Sequence, residues 1–104
     1  MIRTEDLYFN RYTDNEYVYN LPTNYFEYIR SSSNTSSTYK GNATKWLNNT
    51  IVKQEDALKL HETAYNDQGI MRSPAVYLQG NEIHIITDKY THIDGVKLTY
   101  LYQP

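Results

Sequence analysis

The sequence lacks cysteine, has few glycines and prolines, and carries no excess of one charge sign. Without cysteine there are no disulfide cross-links, thiolate nucleophiles or cysteine-bound zinc ions, which fits a protein kept in reducing cytoplasm. Four scattered glycines exclude a phosphate-binding loop and a dinucleotide fingerprint. Ten Lys and Arg residues nearly balance twelve Asp and Glu residues, so we expect no sequence-specific nucleic-acid partner.

Long apolar runs are also missing from the chain. No window approaches the roughly 20 apolar residues that a membrane-spanning helix needs. The first residues lack the apolar core and the small-residue cleavage site of a signal peptide. We therefore expect a soluble protein without a membrane partner.

Tyrosine is the residue that the chain has in excess, with twelve Tyr against two Phe and one Trp. Each tyrosine ring carries a hydroxyl group that must stay in water or find a hydrogen-bond partner. This composition favours strands and contact surfaces. Because 104 residues suffice for one hydrophobic core but not for two, we predict a single domain over residues 1–104.

The last third of the chain, residues 73–104, has the pattern of three short strands joined by two turns. Gly80 and Asn81 mark the first turn, and Asp94 and Gly95 mark the second. In the final strand Val96, Leu98, Tyr100 and Tyr102 alternate with more polar residues, which predicts one buried face and one mostly exposed face.

Two further strands are predicted at residues 17–19 and 25–30, with a break at Pro22 between them. In the second of these, strict alternation places Phe26 and Tyr28 on one face and Tyr25, Glu27 and Ile29 on the other. The polar run that follows, residues 31–38, is interpreted as a loop or hairpin arm, with a solvated strand as the alternative.

The middle of the chain combines strand and helix patterns. Residues 39–52 predict one or two strands joined by turns. Residues 54–65 predict the one helix, because acidic residues occupy its first turn and apolar residues recur every three or four positions. The predicted fold is mainly β: a single β-sandwich or barrel-like domain of about six short strands with one short α-helix.

Residues suited to catalysis are sparse. The three histidines, His61, His84 and His92, are too far apart in sequence for a helical metal pair. His92 is predicted to lie in a turn near Asp88 and Asp94, but this spacing matches no ligand template or general-base motif. We therefore predict no enzyme, no metal site and no cofactor; an enzyme would need a cleft in which these residues converge.

Several short segments occur in an informative order. They are 19–31 (YNLPTNYFEYIRS), 39–40 (YK), 54–56 (QED), 70–76 (IMRSPAV), 88–91 (DKYT) and 98–104 (LTYLYQP). In this order they resemble structural proteins of crAss-like bacteriophages over nearly the whole chain. More distantly, a Leu-Pro entry into a strand and a closing aromatic strand that ends in Pro are similar to the β-domain of podovirus head-to-tail adaptors of the tail tubular protein A kind.

The resemblance implies a virion protein, assembled in the cytoplasm of the bacterial host. It would be a ring or adaptor component of the head-to-tail connector, in contact with copies of itself, with the portal and with neighbouring tail or ring proteins. Such adaptors usually add a helical region to the β-domain. The chain would then be the β part of a longer adaptor-type protein, a shortened paralogue or a differently placed ring.

Four residues are the predicted subunit contacts: Tyr25, Tyr28, Arg30 and Trp46. Tyr, Trp and Arg are enriched in the centres of protein interfaces, which favours these four positions. Burial in the core of the monomer is an alternative for the tyrosines. A second function from another class is a small β-sandwich module that binds carbohydrate or a receptor through exposed tyrosines.

Overall fold

The computed structural model of the chain describes residues 1–13, 16–37, 44–56, 74–87 and 91–103. These residues form nine strands and a helical segment at 54–56. The strands are β1 (Ile2–Asp6), β2 (Tyr8–Thr13), β3 (Glu16–Asn20), β4 (Tyr25–Ser37), β5 (Thr44–Asn48), β6 (Thr50–Ile51), β7 (Ala75–Gln79), β8 (Glu82–Ile86) and β9 (Thr91–Tyr102). In the described ranges, no helix has the length and apolar character needed to span a bilayer.

The strands form two sheets. Sheet A has the order β1-β9-β4-β5, and sheet B has the order β2-β3-β8-β7-β6. The chain passes from sheet A to sheet B at Leu7, between β1 and β2, and again at Asn49, between β5 and β6. Both crossings occur at the edges of the sheets. The molecule therefore has a β1/β2 side (residues 2–13) and, opposite to it, a β5/β6 side (residues 44–51).

The core lies between the two sheets. Sheet B contributes one row of facing side chains, since Tyr19 pairs with Ile83 across β3 and β8, and Val76 pairs with Ile85 across β7 and β8. Sheet A contributes a second set from β9. These residues pack in one cluster with Leu7, Leu21, Ile93, Val96, Leu98 and Tyr100. This arrangement confirms a mainly β, sandwich or barrel-like fold; the described strands number nine, rather than about six.

The hairpin of β7 and β8 confirms the first predicted turn. Gly80 has φ 59, in the left-handed region that side-chain-bearing residues rarely adopt. In β9 the predicted buried face is observed, because Val96, Leu98 and Tyr100 are buried. On the other face Lys97 is exposed, but Thr99 is buried and hydrogen-bonded to Thr4, so that face is only partly in solvent.

The second predicted turn, at Asp94 and Gly95, is wrong. Both residues lie inside β9, and so does His92. Asn34 of β4 pairs with Gly95, whereas Thr35 pairs with Ile93, so one extra residue of β9 is accommodated in a β-bulge. A bulge uses the same residue types as a turn but leaves the strand continuous on both sides.

The loop prediction for residues 31–38 is also wrong over 31–37, which belong to β4. Ser31, Ser33 and Thr35 point inward and are buried. Their hydroxyl groups have partners: Ser33 donates to Asn49 Oδ1 at 2.7 Å, and Thr35 donates to the Lys45 carbonyl at 2.9 Å. Hydroxyl groups are buried at little cost when they are hydrogen-bonded, so a polar segment lines part of this interior.

The predicted faces of the strand at 25–30 are wrong as well. Register shifts interrupt β4 between Tyr25 and Glu27 and between Tyr28 and Arg30. As a result Tyr25 and Tyr28 both face the core, paired with Tyr102 and Tyr100 of β9. Phe26 and Ile29, which the register shifts leave without a partner in β9, are exposed.

The middle of the chain forms strands and a helical segment, and its start forms two further strands. One or two strands were expected within 39–52, and two are observed, β5 and β6. Residues 54–56 are helical, as predicted, and the rest of the predicted helix lies outside the described residues. Strands β1 and β2 were not predicted.

Candidate interaction surfaces

Strand β2 exposes three large rings on the β1/β2 side. Tyr8 is 83% exposed, and Phe9 and Tyr12 are each 54% exposed. The Phe9 ring lies edge-on to Tyr19, with centroids 5.4 Å apart, and the Tyr12 ring lies 4.6 Å from that of Tyr17. Phe9 and Tyr12 therefore extend the aromatic layer of β3 onto an edge strand, whereas Tyr8, which pairs with Asn20, lies on the other face of that strand.

The β5/β6 side also exposes two large apolar side chains, one on each sheet. Trp46 is 46% exposed and Ile51 is 47% exposed. The Lys97 ammonium lies 4.9 Å from the centroid of the Trp46 ring, which is within the range of a cation–π contact. Exposed large apolar residues thus occur on both opposite sides of the sandwich.

The four predicted contact residues do not form one patch. Arg30 and Trp46 are exposed and lie on the outward face of sheet A, where Arg30 lines a shallow depression of about 190 Å³ with Asn48 and Lys97. Tyr25 and Tyr28 instead lie on the inward face of sheet A, where they pack against the core.

The two inward tyrosines have neighbours within the molecule. The Tyr25 ring centroid lies 6.0 Å from that of Tyr100. The Tyr28 hydroxyl is 2.8 Å from Ser31 Oγ. The sequence does not distinguish the exposed pair, Arg30 and Trp46, from the inward pair of tyrosines. It also does not single out Tyr8, Phe9 and Tyr12 as exposed, although three aromatic residues within the first 13 positions are a signal for a contact surface.

A polar cluster occupies the outward face of sheet B. Tyr77 donates to Glu16 Oε1 at 2.6 Å, and His84 Nδ1 donates to the same oxygen at 2.9 Å. The Tyr77 and His84 rings are stacked, with centroids 4.7 Å apart. Glu16, Tyr77 and His84 are all buried. Three different strands bring these residues together, and no sequence motif indicates the cluster.

An ion pair extends this cluster towards solvent. Arg11 donates to both carboxylate oxygens of Glu82, at 2.7 and 3.2 Å. This hydrogen bond raises the pKa of Arg11 and holds the pKa of Glu82 below its ordinary value. Glu82 Oε1 lies 3.4 Å from His84 Nε2, and this nitrogen has no hydrogen-bond partner in the described part of the chain.

Several tyrosines have raised pKa values because burial disfavours the charged phenolate. Burial, assisted by the negative charge of Asp94, raises the pKa of Tyr19 to about 12. Burial also raises the pKa values of Tyr17, Tyr25, Tyr28 and Tyr100. The neutral phenol is therefore the form that the folded protein stabilises.

Of the candidate catalytic residues, His92 and Asp94 lie two positions apart on β9, whereas His84 is buried on β8. His92 is exposed, and its Nδ1 lies 3.1 Å from the Tyr17 hydroxyl. Asp94 is exposed on β9, and Asp88 and His61 lie outside the described residues. Over the described ranges, no three His, Asp or Glu side chains are grouped to hold a metal ion.

One wider depression is open to solvent. Its volume is about 820 Å³, and Glu16, Val52 and Tyr77 are among the residues that line it. Its lining also includes Lys53, Gln54 and Glu55, so charged and polar groups lie there beside apolar side chains.

No protein-family model matches this sequence, and no curated protein matches it.

Proposed function

We propose that this protein is a structural component of a bacteriophage virion, a ring or adaptor subunit of the head-to-tail connector. Copies pack side by side around the ring, and the outward face of each copy contacts the portal or a neighbouring tail or ring protein. The role is assembly and involves no catalytic step or cofactor. The subunit is made in the host cytoplasm and resides in the virion.

The observation that carries the proposal is the position of the exposed apolar residues. Tyr8, Phe9 and Tyr12 lie on the β1/β2 side, whereas Trp46 and Ile51 lie on the opposite side. A ring is built from a heterologous interface, in which one surface of a subunit meets a different surface of the next. Two unlike apolar sides at opposite edges meet that requirement, while a two-fold dimer needs only one.

The predicted contact residues divide between two roles in this proposal. Arg30 and Trp46 are available to partners on the outward face of sheet A. Tyr25 and Tyr28 support that face from the core side, since both pack against the interior. Of the four, Arg30 and Trp46 are therefore the direct contacts.

A mixing experiment tests the ring interface. We expect Tyr8→Glu and Trp46→Glu each to abolish self-association, because each places a charge on one of the two sides. An equimolar mixture should form a heterodimer, since the two intact sides still fit, and native mass spectrometry would detect it. Gln79→Glu is the matched control, because Gln79 is exposed at the end of β7. If either variant alone still self-associates like the wild type, the interface is not heterologous.

Placement in the virion has a separate test. Peptide mass spectrometry of gradient-purified phage particles should detect the chain at the same stoichiometry as the portal. Arg30→Ala combined with Trp46→Ala should leave a folded protein that is depleted from the particles. Absence of the wild-type chain from intact particles would refute the virion role.

A carbohydrate-binding module is the second candidate, and Trp46 is the observation that favours it. The exposed indole shares the outward face of β5 with Asn48, and an exposed ring with polar neighbours is suited to stacking on a sugar ring. Lys97 occupies one face of this indole, so a sugar would have to use the other face. A glycan array with Trp46→Ala as control tests this function: binding lost in the variant supports it, and no binding by the wild type rejects it.

A further inference from the structure

Within the described residues, the outer edge of β1 pairs with no strand, and the pairing on its other edge identifies which of its backbone groups are left free. The Met1 carbonyl accepts from Tyr102 N at 3.0 Å, and Leu7 N donates to the Val96 carbonyl at 2.9 Å. In an antiparallel pair, alternate residues direct both backbone groups to the same neighbour. The odd-numbered residues of β1 therefore bond to β9, and Ile2, Thr4 and Asp6 direct their N–H and C=O groups away from the sheet.

The free edge of β5 follows the same rule. Asn49 N donates to the Ser31 carbonyl at 2.9 Å, in register with the pairing of Leu47 with Ser33. Lys45 and Leu47 therefore bond to β4. The even-numbered residues, Thr44, Trp46 and Asn48, direct their backbone groups outward. Among the described strands, none pairs with this edge of β5 or with the free edge of β1.

The two edges run in opposite directions. Each neighbouring pair in sheet A is antiparallel, and the sheet has four strands, so β1 and β5 are antiparallel to each other. When two copies stand side by side in the same orientation, β5 of one copy therefore meets β1 of the next as an antiparallel partner.

We propose that β1 of each copy pairs with β5 of the next copy, so that sheet A continues from subunit to subunit. This inference rests on the side-by-side packing proposed above and specifies the strands that perform it. Thr4 lies opposite Trp46, Ile2 opposite Asn48, and Asp6 opposite Thr44. All six residues direct free backbone groups to this edge, so the three pairs exchange two hydrogen bonds each. Both strands have five residues and overlap completely.

Side-chain charge selects this register. It places Glu5 of one copy opposite Lys45 of the next, on the inward face, where cross-strand side chains are close. A shift of two residues in one direction would place Arg3 opposite Lys45, and like charges would repel. The opposite shift would place Glu5 opposite Leu47 and leave no ion pair. The outward pair of Thr4 and Trp46 adds a β-branched residue beside an aromatic ring, a favourable cross-strand combination.

Cysteine cross-linking tests the pairing directly, because the chain has no cysteine of its own. Within one subunit β1 and β5 are separated by three strand spacings, about 14 Å. A disulfide requires Cα atoms within about 7 Å, so residues 5 and 45 of the same chain cannot be joined. We expect Glu5→Cys/Lys45→Cys to give a ladder of covalent multimers on mild oxidation. The control Asp6→Cys/Asn48→Cys is displaced by four residues, about 14 Å along the strands, and should remain monomeric on denaturing gels.

The outcomes separate this inference from the proposed function. Multimers in the first variant but not in the control support the pairing. Rings of the wild type in native mass spectrometry, without cross-linking of the first variant, would overturn the strand assignment and leave the ring proposal standing. A wild type that is monomeric at every concentration and absent from particles would overturn both.

A charge exchange gives an independent readout. Glu5→Lys and Lys45→Glu should each weaken self-association by about fivefold or more, because each sets like charges opposite one another. Combining both changes in one chain should restore association, since the ion pair is re-formed with reversed polarity. Thermal melts of the three variants show whether the subunit is folded. Failure of the double variant to recover association, while it remains folded, contradicts the register.

Discussion

Strands β2 and β8 belong to the same sheet and carry comparable apolar side chains, yet one is exposed and the other is buried. Ile83 and Ile85 of β8 are fully buried towards the core, and His84 and Ile86 are buried on the opposite face. Every residue of β2 is exposed. The strand at the centre of the sheet has neighbours on both edges, whereas the described part of the chain covers β2 on one edge only. Position in the sheet, and not composition, decides which apolar residues stabilise the subunit.

This difference assigns the two strands to different processes. Burial of β8 contributes to folding of the subunit, because its apolar area leaves water when the chain folds. The rings of β2 retain apolar area that leaves water only when another surface covers them. Exposed apolar surface of this kind is typical of interaction sites.

The strongest test of the comparison is a matched pair of truncations. Ile85→Ala should lower the free energy of unfolding by about 3 kcal/mol, because it leaves a cavity in the core. Tyr8→Ala should change it by no more than about 0.5 kcal/mol, since the Tyr8 ring is in solvent. Urea denaturation followed by circular dichroism measures both values. Similar losses in the two variants would contradict the contrast between the strands.

The pH dependence of stability tests Tyr19, which lies on β3 between the exposed strand β2 and the buried strand β8. The pKa of Tyr19 in the folded protein, about 12, is above its value of about 10 in the unfolded chain. The stabilisation is therefore complete below pH 10 and is lost as the pH rises from 10 to 12. Urea midpoints between pH 7 and pH 12 should fall over this interval. Tyr19→Phe should reduce the fall, and an unchanged pH profile in this variant would contradict the assignment.

The buried cluster of sheet B predicts a moderate effect. Tyr77→Phe removes the hydroxyl that donates to Glu16 and keeps the ring stacked on His84. We expect a loss of about 1.5–3 kcal/mol in the free energy of unfolding, as for hydrogen bonds to charged groups. Tyr8→Phe on the exposed strand is the control and should have no measurable effect. Equal stabilities of the two variants in urea melts would show that the Tyr77 hydrogen bond contributes nothing.

The smallest effect on stability is expected for the ion pair between Arg11 of β2 and Glu82 of β8, because Arg11 is exposed. Arg11→Met keeps the aliphatic stem but removes the ion pair with Glu82. The variant should be slightly less stable at low salt, and high salt should remove the difference, because exposed charges are screened. A difference that persists at 1 M salt would indicate a packing role for Arg11 instead.

The parts of the fold that sequence predicts well are those set by local pattern. Strand β7 is a short apolar run after Pro74, β8 and most of β9 alternate apolar and polar residues, and Gly80 with Asn81 marks the tight turn. The bulge at Asp94 has the same residues as a hairpin turn, so only the pairing of β4 with β9 distinguishes the two. The exposed Arg30 and Trp46 share a face because β4 and β5 pair in regular register.

The parts that sequence does not predict depend on distant partners. The serines of β4 look like a loop, but Asn49 and the backbone of β5 satisfy their hydroxyl groups. Strands β1 and β2 have no clear alternation, and β1 is ordered by pairing with β9, as Ile2 pairs with Leu101. The bulges that turn Tyr25 and Tyr28 to the same face also arise from this long-range pairing.

The pairing of β1 with β9 has a consequence for the order of folding. Ile2 and Leu101 are neighbours in the sheet although almost the whole chain separates them. Closing so long a loop is entropically costly and slow, so β1 docks late, after β9 has been synthesised. A nascent or incomplete chain therefore lacks an ordered β1 strand. In the proposed assembly this strand is the one offered to the next copy, so subunits join only after each has been completed.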